Sequence, residues 1–314
     1  MSRKIFNIVF AGTPDFAVPT LTALANHSAI NVIAVLTQPD RPLGRRQIIT
    51  PPPVKRAAID LGIPILQPRS IKNPSFMRTL ASYAPDAVVL VAYGKIITPA
   101  LLAIPHFGWV NIHASLLPKY RGASPIQAAL LHGDVQTGVT LIRLDEGLDT
   151  GPLIAQRTIP IRPTDTAGSL HDSLASLGAT IAAEALPEYL SGTLTPHPQA
   201  TTSQAPTTTI KTEQARIDWR QSDVQILRHI RAYTPWPGAY TVWSGKRFII
   251  IEATTTAHTV LAPGHAAVYK KSLLVGTGTR PISVLTAQLA GKKPQSSTII
   301  LNGYPKLGEA VFSD

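Results

Sequence analysis

The chain has 314 residues, of which 44% are apolar and 15% charged, and its formal net charge is +11. This length suffices for two domains of ordinary size, and the apolar content excludes a disordered chain. Cysteine is absent, which excludes disulfides, thiolate metal ligands and cysteine nucleophiles.

The first 190 residues alternate between apolar runs and helical patterns. This alternation predicts an α/β domain with an open, mostly parallel Rossmann-like sheet and helices on both faces. Ligands of such sheets bind beyond the carboxyl ends of the strands. The predicted strands span 5–10, 30–36, 63–66, 87–92, 107–112 and 139–144. The predicted helices span 15–26, 52–61, 74–83, 124–132 and 167–190.

The sequence contains none of the common cofactor motifs. The turn after the first strand, Gly12-Thr-Pro-Asp-Phe16, differs from the glycine pattern of dinucleotide binding, and there is no P-loop. We therefore predict no nucleotide cofactor. Since neither a His-Glu-x-x-His motif nor a dense carboxylate cluster occurs, we also predict no metal.

Two hydrophobic segments could be mistaken for targeting or membrane sequences. The apolar run near the start of the chain is short and leads into a Gly-Pro turn, so it indicates a strand. The uncharged stretch from Ile96 to Pro118 contains prolines and histidines and does not suit a membrane span. The sequence therefore predicts a soluble cytoplasmic protein.

A basic loop follows the second predicted strand. The segment from Thr37 to Arg46 is longer than an ordinary strand-to-helix connection and contains Arg41, Arg45 and Arg46. At the ligand edge of the sheet these guanidinium groups would suit contacts with phosphates. A solvated charged loop without a ligand is the alternative interpretation.

The strongest catalytic signal lies at the end of the fifth predicted strand. Asn111 and His113 are two residues apart, so their side chains leave the same face of a strand. Asp149 follows the next predicted strand, in Leu148-Asp-Thr-Gly151. An amide can hold a carbonyl oxygen, an imidazole can move a proton, and a carboxylate can orient the imidazole. The set predicts group transfer or hydrolysis without a Ser or Cys nucleophile.

The loop after this strand, Ser115-Leu-Leu-Pro118, is apolar and stiffened by proline. Such a loop can bind a flat heterocycle through backbone hydrogen bonds and apolar contacts. An ordinary connecting loop is the alternative interpretation.

The last third of the chain has a different organisation. Residues 191–209 are rich in Thr and Pro without periodicity and predict a linker. Residues 210–314 predict a helix at Asp223–Ala232 and a small all-β module, a barrel. Residues 206–314 carry a net charge of +7, which suggests a polyanionic partner. A basic surface without a partner is the alternative interpretation. The predicted strands of this module are Tyr240–Trp243, Arg247–Ile251, Ala267–Tyr269, Leu273–Val275, Ile282–Leu285 and Thr298–Leu301.

Together these motifs resemble the 10-formyltetrahydrofolate-dependent formyltransferases over nearly the whole chain. The matching motifs in the first domain are Gly12–Ala17, Thr37–Pro42, Pro53–Lys55, Val91–Gly94, Asn111–Pro118, Arg121-Gly122, Pro125–Gln127, Thr137–Thr140 and Leu148–Gly151. Those in the second are Ala215–Trp219 and Ile230–Ala239.

The resemblance implies a specific activity. The formyl group of 10-formyltetrahydrofolate would pass to the α-amine of initiator methionyl-tRNA for translation initiation. Asn111 and protonated His113 would stabilise the oxyanion, and Asp149 would assist proton transfer. The implied folate pocket consists of Tyr93, Leu144, Ser115, Leu116, Leu117 and Pro118. The implied tRNA contacts are Arg41, Arg45, Arg46 and Lys211.

The resemblance also implies an organisation for the whole chain. Residues 1–190 would be the catalytic domain, 191–209 the linker, and 210–314 a tRNA-binding domain like the oligonucleotide-binding (OB) fold. The implied enzyme is a monomer of the bacterial cytosol without a membrane partner.

Other functions share parts of this pattern. A formyltransferase acting on a sugar-nucleotide amine or a purine precursor would have the same three polar residues, but would not need the basic second domain. A folate hydrolase would use water in place of the amine. A non-catalytic RNA-binding protein is a further alternative, against which the intact set of Asn111, His113 and Asp149 speaks.

Overall fold

The computed structural model describes residues 4–44, 46–257 and 260–312. Arg45, one of the predicted tRNA contacts, lies outside the described residues. The chain divides into two compact units. The first comprises Met1–Pro125, Gln136–Pro160 and His171–Thr207, and the second Ile126–Val135, Ile161–Leu170 and Thr208–Asp314.

Each helix and strand predicted up to residue 190 is present within a few residues of its predicted bounds. The strands are β1 (Phe6–Gly12), β2 (Ile30–Leu36), β3 (Arg41–Leu43), β4 (Ile48–Thr50), β5 (Ile65–Leu66), β6 (Ala87–Val91), β7 (Trp109–His113), β8 (Gln136–Arg143) and β9 (Leu153–Pro160). The helices are α1 (Val18–Ala25), α2 (Pro53–Asp60), α3 (Pro74–Ser82), α4 (Pro99–Leu102), α5 (Pro125–His132) and α6 (Ala167–Leu190). Of these elements, β3, β4, β9 and α4 are additional to the predicted ones.

The first unit contains a seven-stranded sheet in the order β5-β2-β1-β6-β7-β8-β9. The strands from β5 to β7 run parallel, whereas β8 and β9 are antiparallel to their neighbours. Every residue of β6 is buried, as expected for a central strand covered on both faces. The mostly parallel α/β sheet predicted from the sequence is thus confirmed.

Strand β9 and the hairpin β3–β4 were not predicted. Only the first two residues of β9, Leu153 and Ile154, are fully buried, so its apolar signal is weak. The hairpin lies within the predicted basic loop, and all but one of its strand residues are exposed. Exposed strands lack the periodic apolar pattern on which such predictions depend.

Strand β7 carries the predicted catalytic pair between two neighbours. Asn111 lies opposite Leu90 of β6 on one side and Ile142 of β8 on the other. His113 lies opposite Thr140 of β8. Both residues are therefore at the carboxyl end of an interior strand, where α/β sheets bind their ligands.

The segment 191–207, predicted to be a linker, is an ordered part of the first unit. His197 exchanges two backbone hydrogen bonds with Leu153, at 2.7 and 2.9 Å. Further along, Thr207 donates its backbone N–H to the carbonyl oxygen of Arg121 over 2.7 Å. The segment is held because its backbone groups find partners on the edge strand β9 and on the loop after β7, which composition alone does not reveal.

The second unit contains an antiparallel sheet in the order β10-β11-β14-β13-β12, with β15 paired to β14. This confirms the predicted module of β-strands, which run antiparallel, while its closure into a barrel stays a prediction. Its core includes Trp219 and Phe248, whose rings both stack on Phe312. The elements are α7 (Asp223–Ala232), β10 (Ala239–Trp243), β11 (Lys246–Thr255), β12 (Ala266–Tyr269), β13 (Ser272–Val275), β14 (Ile282–Leu289), β15 (Gln295–Ser296) and α8 (Ser297–Gly303).

The strand predicted at Thr298–Leu301 is wrong, because these residues belong to helix α8. The side chain of Ser296 accepts a hydrogen bond from the backbone N–H of Ile299 and caps the helix. A short apolar run has no periodicity that separates strand from helix, and here the preceding serine was the decisive signal. Across the described ranges, no helix is long and apolar enough to cross a membrane.

Candidate active site

Asn111, His113 and Asp149 meet at the end of β7. The amide Nδ2 of Asn111 donates to Oδ1 of Asp149 over 3.1 Å, and Nδ1 of His113 lies 3.6 Å from Oδ2 of the same carboxylate. The three residues are 8%, 6% and 9% exposed, respectively. The structure therefore brings the predicted catalytic residues together in a nearly buried cluster, where electrostatic interactions are stronger than in water.

The position of the imidazole assigns different roles to its two nitrogens. Nε2 of His113 lies 2.9 Å from the backbone carbonyl oxygen of Tyr120. Because a carbonyl oxygen only accepts, Nε2 must carry a hydrogen in this contact. Nδ1 is then the nitrogen that can gain or lose a proton, and its 3.6 Å separation from Asp149 exceeds a direct hydrogen bond.

The carboxylate of Asp149 is held at both oxygens. Oδ1 accepts from Asn111, and Oδ2 accepts the backbone N–H of Gly122 over 2.9 Å. The backbone of Asp149 has a φ of +53°, in the left-handed region that most residues avoid but Asp tolerates. This combination fixes the direction of the carboxylate and places backbone strain at the site.

The loop Ser115–Pro118 is fastened by polar side chains from the adjacent strands. Oγ1 of Thr140 donates to the carbonyl oxygen of Ser115 over 2.6 Å and accepts the backbone N–H of Leu117 over 3.2 Å. Nε2 of Gln156 donates to the same hydroxyl and to the carbonyl oxygen of Leu117. The loop therefore has a fixed shape, as a rigid pocket wall requires.

The predicted pocket residues of this loop differ in accessibility. Ser115 and Leu117 are buried, Leu117 in a small apolar cluster with Ile142. Leu116 and Pro118 are partly exposed and are the members of the loop that remain able to touch a ligand. Leu144 is half-buried and packs against the same apolar cluster.

Tyr93 lies differently from the other predicted pocket residues. Its ring is fully buried in a hydrophobic cluster of the first unit, and burial raises the pKa of its phenol to about 12. Its hydroxyl has no hydrogen-bond partner among the described residues. Its carbonyl oxygen accepts from Thr13 Oγ1 and Gln38 Nε2. Through this backbone position, Tyr93 ties two neighbouring loops to the end of β6.

Three of the predicted tRNA contacts, Arg41, Arg46 and Lys211, are exposed. Arg41 lies on β3, and Arg46 lies in the turn between β3 and β4. In the part of the chain that is described, no hydrogen bond or ion pair links either arginine to Asn111, His113 or Asp149. Lys211 is exposed near the start of the C-terminal segment of the second unit. The hairpin also exposes the side chains of Leu43, Ile48 and Ile49, by 60% or more each.

Sequence reasoning missed the residues that hold the site in place. Gly122 was noted only as part of a family motif, although its φ of +98° and the collision that a Cβ would make with the Thr207 carbonyl require glycine. Gln199, which donates to the backbone of Asp149, lies in a segment of low complexity without a recognisable pattern. Among the residues that the structure describes, no group of three or more His, Cys, Asp or Glu side chains could hold a metal ion.

Comparison with known families gives the class of this protein. Residues 3–186 match the formyl transferase family, and residues 209–305 match the formyl transferase C-terminal domain. The chain therefore belongs to the formyl transferase family of enzymes.

Its relatives within this family carry a narrower name. The chain is 43% identical over 309 residues to the methionyl-tRNA formyltransferase of Myxococcus xanthus, covering 97% of this chain and 96% of the relative. It is 45% identical over 313 residues to the enzyme of that name from Pelotomaculum thermopropionicum, covering 96% and 99%. The resemblance inferred from the motifs is thus confirmed.

Solved structures share the fold at lower identity. WlaRD, a sugar 3N-formyl transferase, is 20% identical with a TM-score of 0.66, covering 92% of this chain and 99% of its own. HypX from Aquifex aeolicus, solved with tetrahydrofolic acid, is 19% identical with a TM-score of 0.61, covering 99% and 48%. At this identity the likeness establishes the fold alone.

Proposed function

We propose that this enzyme transfers the formyl group of 10-formyltetrahydrofolate to the α-amine of initiator methionyl-tRNA. The observation that carries the proposal is the buried contact of Asn111, His113 and Asp149 at the carboxyl end of β7. The names of the relatives support methionyl-tRNA as the acceptor. As an enzyme of translation initiation, it would act in the cytoplasm.

The chemistry requires one bond to form and another to break. The α-amine nitrogen attacks the formyl carbon, and the carbonyl oxygen becomes an oxyanion. One N–H of Asn111 is occupied by Asp149, so its second N–H is the one that can donate to this oxyanion. Nδ1–H of protonated His113 is the other donor, in a site where such interactions are strong because the three side chains are nearly buried. Collapse of the intermediate breaks the bond between the formyl carbon and N10.

Protons must move from the attacking amine to the departing N10. His113 keeps its Nε2–H on the Tyr120 carbonyl, so Nδ1 is its exchange position. Asp149 Oδ2 lies 3.6 Å from Nδ1, and one water molecule or the amine can contact both atoms. Asp149 thereby accepts the amine proton through this contact, and His113 supplies one to N10.

The folate would bind against the loop fastened by Thr140 and Gln156. The partly exposed Leu116 and Pro118 offer apolar contacts, and Leu144 lies in the same apolar cluster. Ser115 and Leu117 contribute through the backbone because their side chains are buried. Tyr93 would shape the pocket through its backbone and not through its buried ring. The donor is a co-substrate, and no metal takes part in the proposed reaction.

Transfer RNA would contact two basic surfaces. Arg41 and Arg46 belong to the hairpin of the first unit and Lys211 to the second unit, and Arg45 precedes Arg46 in the sequence. Phosphate contacts by such residues make binding salt-dependent and independent of base sequence. The net charge of +7 on residues 206–314 supports a polyanionic partner for the second unit.

The test supplies 10-formyltetrahydrofolate with two acceptors in parallel, charged initiator methionyl-tRNA and a nucleotide-linked amino sugar. We expect formyl transfer to the tRNA-bound amine and none to the sugar. Transfer only to the sugar would overturn the proposed acceptor while retaining the chemistry of the site. Folate binding without transfer to either acceptor would indicate a non-catalytic protein.

A further inference from the structure

We infer that Gln199 is a positioning residue that sets the geometry of His113 and Asp149 by clamping together the two loops that hold them. The inference rests on the proposed function for its catalytic consequence. Its structural part depends only on contacts within the first unit.

The side-chain amide of Gln199 forms hydrogen bonds through both its nitrogen and its oxygen. Nε2 donates to the carbonyl oxygens of Asp149 and Gly151, over 2.8 and 2.7 Å. Oε1 accepts two hydrogen bonds from the Arg121 guanidinium, one from Nη2 at 2.7 Å and one from Nε at 3.2 Å. Carbonyl oxygens only accept and a guanidinium only donates, so the orientation of the amide is determined by its partners.

These contacts connect the two parts of the site. One partner is the backbone carbonyl oxygen of Asp149, the residue whose side chain is the catalytic carboxylate. The other, Arg121, lies between Tyr120, whose carbonyl accepts from His113, and Gly122, whose N–H donates to Asp149. The single amide of Gln199 therefore fixes the distance between the loop that orients the imidazole and the loop that presents the carboxylate.

The backbone conformation of Asp149 explains why the hydrogen bonds from Gln199 matter. Its φ of +53° is a conformation that persists only when surrounding contacts hold it. Gln199 donates to the carbonyl oxygens of Asp149 and of Gly151, two residues further on. Loss of these bonds would allow the chain to relax and move the carboxylate away from His113.

Further contacts extend the clamp along the same segment. Gln204 Oε1 accepts the backbone N–H of Tyr120 over 3.1 Å. Thr207 accepts from Ser124 N and donates to the Arg121 carbonyl, both through Oγ1. The segment 197–207 thus lies as a strap across the loop after β7, although its composition is typical of a linker.

The decisive variant is Gln199→Glu. It has nearly the same size and keeps an acceptor for Arg121, but it cannot donate to the two carbonyl oxygens. A displacement of about 1 Å in a catalytic group can cost on the order of 100-fold in rate, and we expect kcat to fall by about 10- to 100-fold. We expect KM for folate and for methionyl-tRNA to stay within about threefold, because neither ligand is bound by this amide.

A control lies four residues further along the same strap. Ser203 is exposed, and its side chain has no hydrogen bond to the residues that the structure describes. Ser203→Ala should retain the wild-type kcat and melting temperature.

The pH dependence of kcat provides the readout that a general loss of structure would not give. In Gln199→Glu the profile should change in shape, as in Asp149→Asn, instead of falling equally at every pH.

Two further measurements keep the outcome decisive. If Gln199→Glu does not fold, Arg121→Met is tested in its place. It removes the guanidinium group that orients the amide of Gln199. We expect kcat to fall several-fold, with the same change in the shape of its pH profile. The NMR ring signals of His113 should move in Gln199→Glu and not in Ser203→Ala, whether or not tRNA is the substrate.

The inference is overturned if folded Gln199→Glu has the wild-type kcat and pH profile. If Gln199→Glu cannot be folded, a wild-type kcat and pH profile of Arg121→Met overturns it. Unmoved His113 signals would also overturn it. A wild-type enzyme that does not formylate methionyl-tRNA would instead refute the proposed acceptor, and the NMR comparison would still decide the role of Gln199.

Discussion

Asn111 donates a hydrogen bond from Nδ2 to Oδ1 of Asp149 over 3.1 Å, between residues 38 positions apart in the chain. The contact fixes which end of the Asn111 amide carries hydrogen, because a carboxylate accepts from nitrogen and not from the amide oxygen. It also orients the second N–H of that amide. In the proposed mechanism the carboxylate therefore orients the oxyanion donor as well as facing the imidazole.

Replacement of Asn111 by Asp should abolish most of the activity. The variant keeps the shape of the side chain, removes both N–H donors and sets a second carboxylate beside Asp149. Loss of one oxyanion donor typically costs about 10²–10³ in kcat, and like charges add to this loss. Single-turnover formyl transfer measures the effect. Asn31→Asp, at an exposed position of β2, should keep its rate within about twofold, as surface substitutions usually do. Transfer at the wild-type rate by Asn111→Asp would remove Asn111 from the mechanism.

Thr140→Val should weaken both the fold and the folate pocket. The hydroxyl of Thr140 is fully buried and bonds Ser115, Leu117 and Gln156. Valine has the same shape but leaves these groups unsatisfied, which costs about 1–3 kcal/mol of unfolding free energy. Urea unfolding and folate titration measure the two effects.

A matched substitution on the same strand provides the control. Thr137 of β8 is 3% exposed, and its hydroxyl makes no side-chain hydrogen bond with any described residue. Thr137→Val should therefore change the unfolding free energy by less than Thr140→Val. Equal losses from the two variants would show that the polar network of Thr140 does not stabilise the loop.

Arginine substitutions in the hairpin should weaken tRNA binding in a salt-dependent way. Arg46→Ala removes an exposed cation next to β4. A lost phosphate contact lowers the slope of log K against log salt concentration by about 1. Filter binding between low and moderate salt measures this slope. Arg78→Ala, at an exposed position on α3, is the control and should keep the wild-type slope. An unchanged slope for Arg46→Ala would exclude Arg46 from the tRNA interface.

The second unit should lose stability at acidic pH through His229. Burial lowers the pKa of His229 below its ordinary value of 6.5, although a hydrogen bond with the backbone of Ala215 opposes this. Below pH 6.5 the unfolded chain therefore binds a proton that the folded chain does not, and stability falls as the pH decreases toward the folded pKa. Above pH 6.5 both states are neutral at this position and the penalty vanishes.

A comparison of melting temperatures between pH 8 and pH 5 isolates this effect. His229→Phe keeps an aromatic ring beside Tyr233 and cannot titrate. We expect its melting temperature to fall less on acidification than that of the wild type. Parallel curves for the two proteins would show that His229 is not responsible.

The sequence predicted the features that depend on periodicity and strand order. Buried strands such as β6 are continuous apolar runs, and the spacing of Asn111 and His113 placed both on one face of β7. Strand β8 runs antiparallel to β7, so Asp149 reaches Asn111 and His113 through the loop that follows β8, which the strand order alone does not predict.

The remaining features depend on contacts between distant residues. Tyr93 follows β6 at the ligand edge, but the packing of its ring in the core is decided by neighbours on other strands. The role of Gln199 depends on hydrogen bonds to Asp149 and Arg121, 50 and 78 positions away. Composition marked its segment as a linker because Thr and Pro carry no periodic signal.

The most direct test of the proposed mechanism compares wild type with His113→Ala in formyl transfer from 10-formyltetrahydrofolate to initiator methionyl-tRNA. We expect the wild type to transfer the group and His113→Ala to be slower by at least about 10²-fold, with its melting temperature retained. Equal rates for the two folded proteins would contradict the assignment of His113, and no transfer by the wild type would contradict the proposed reaction.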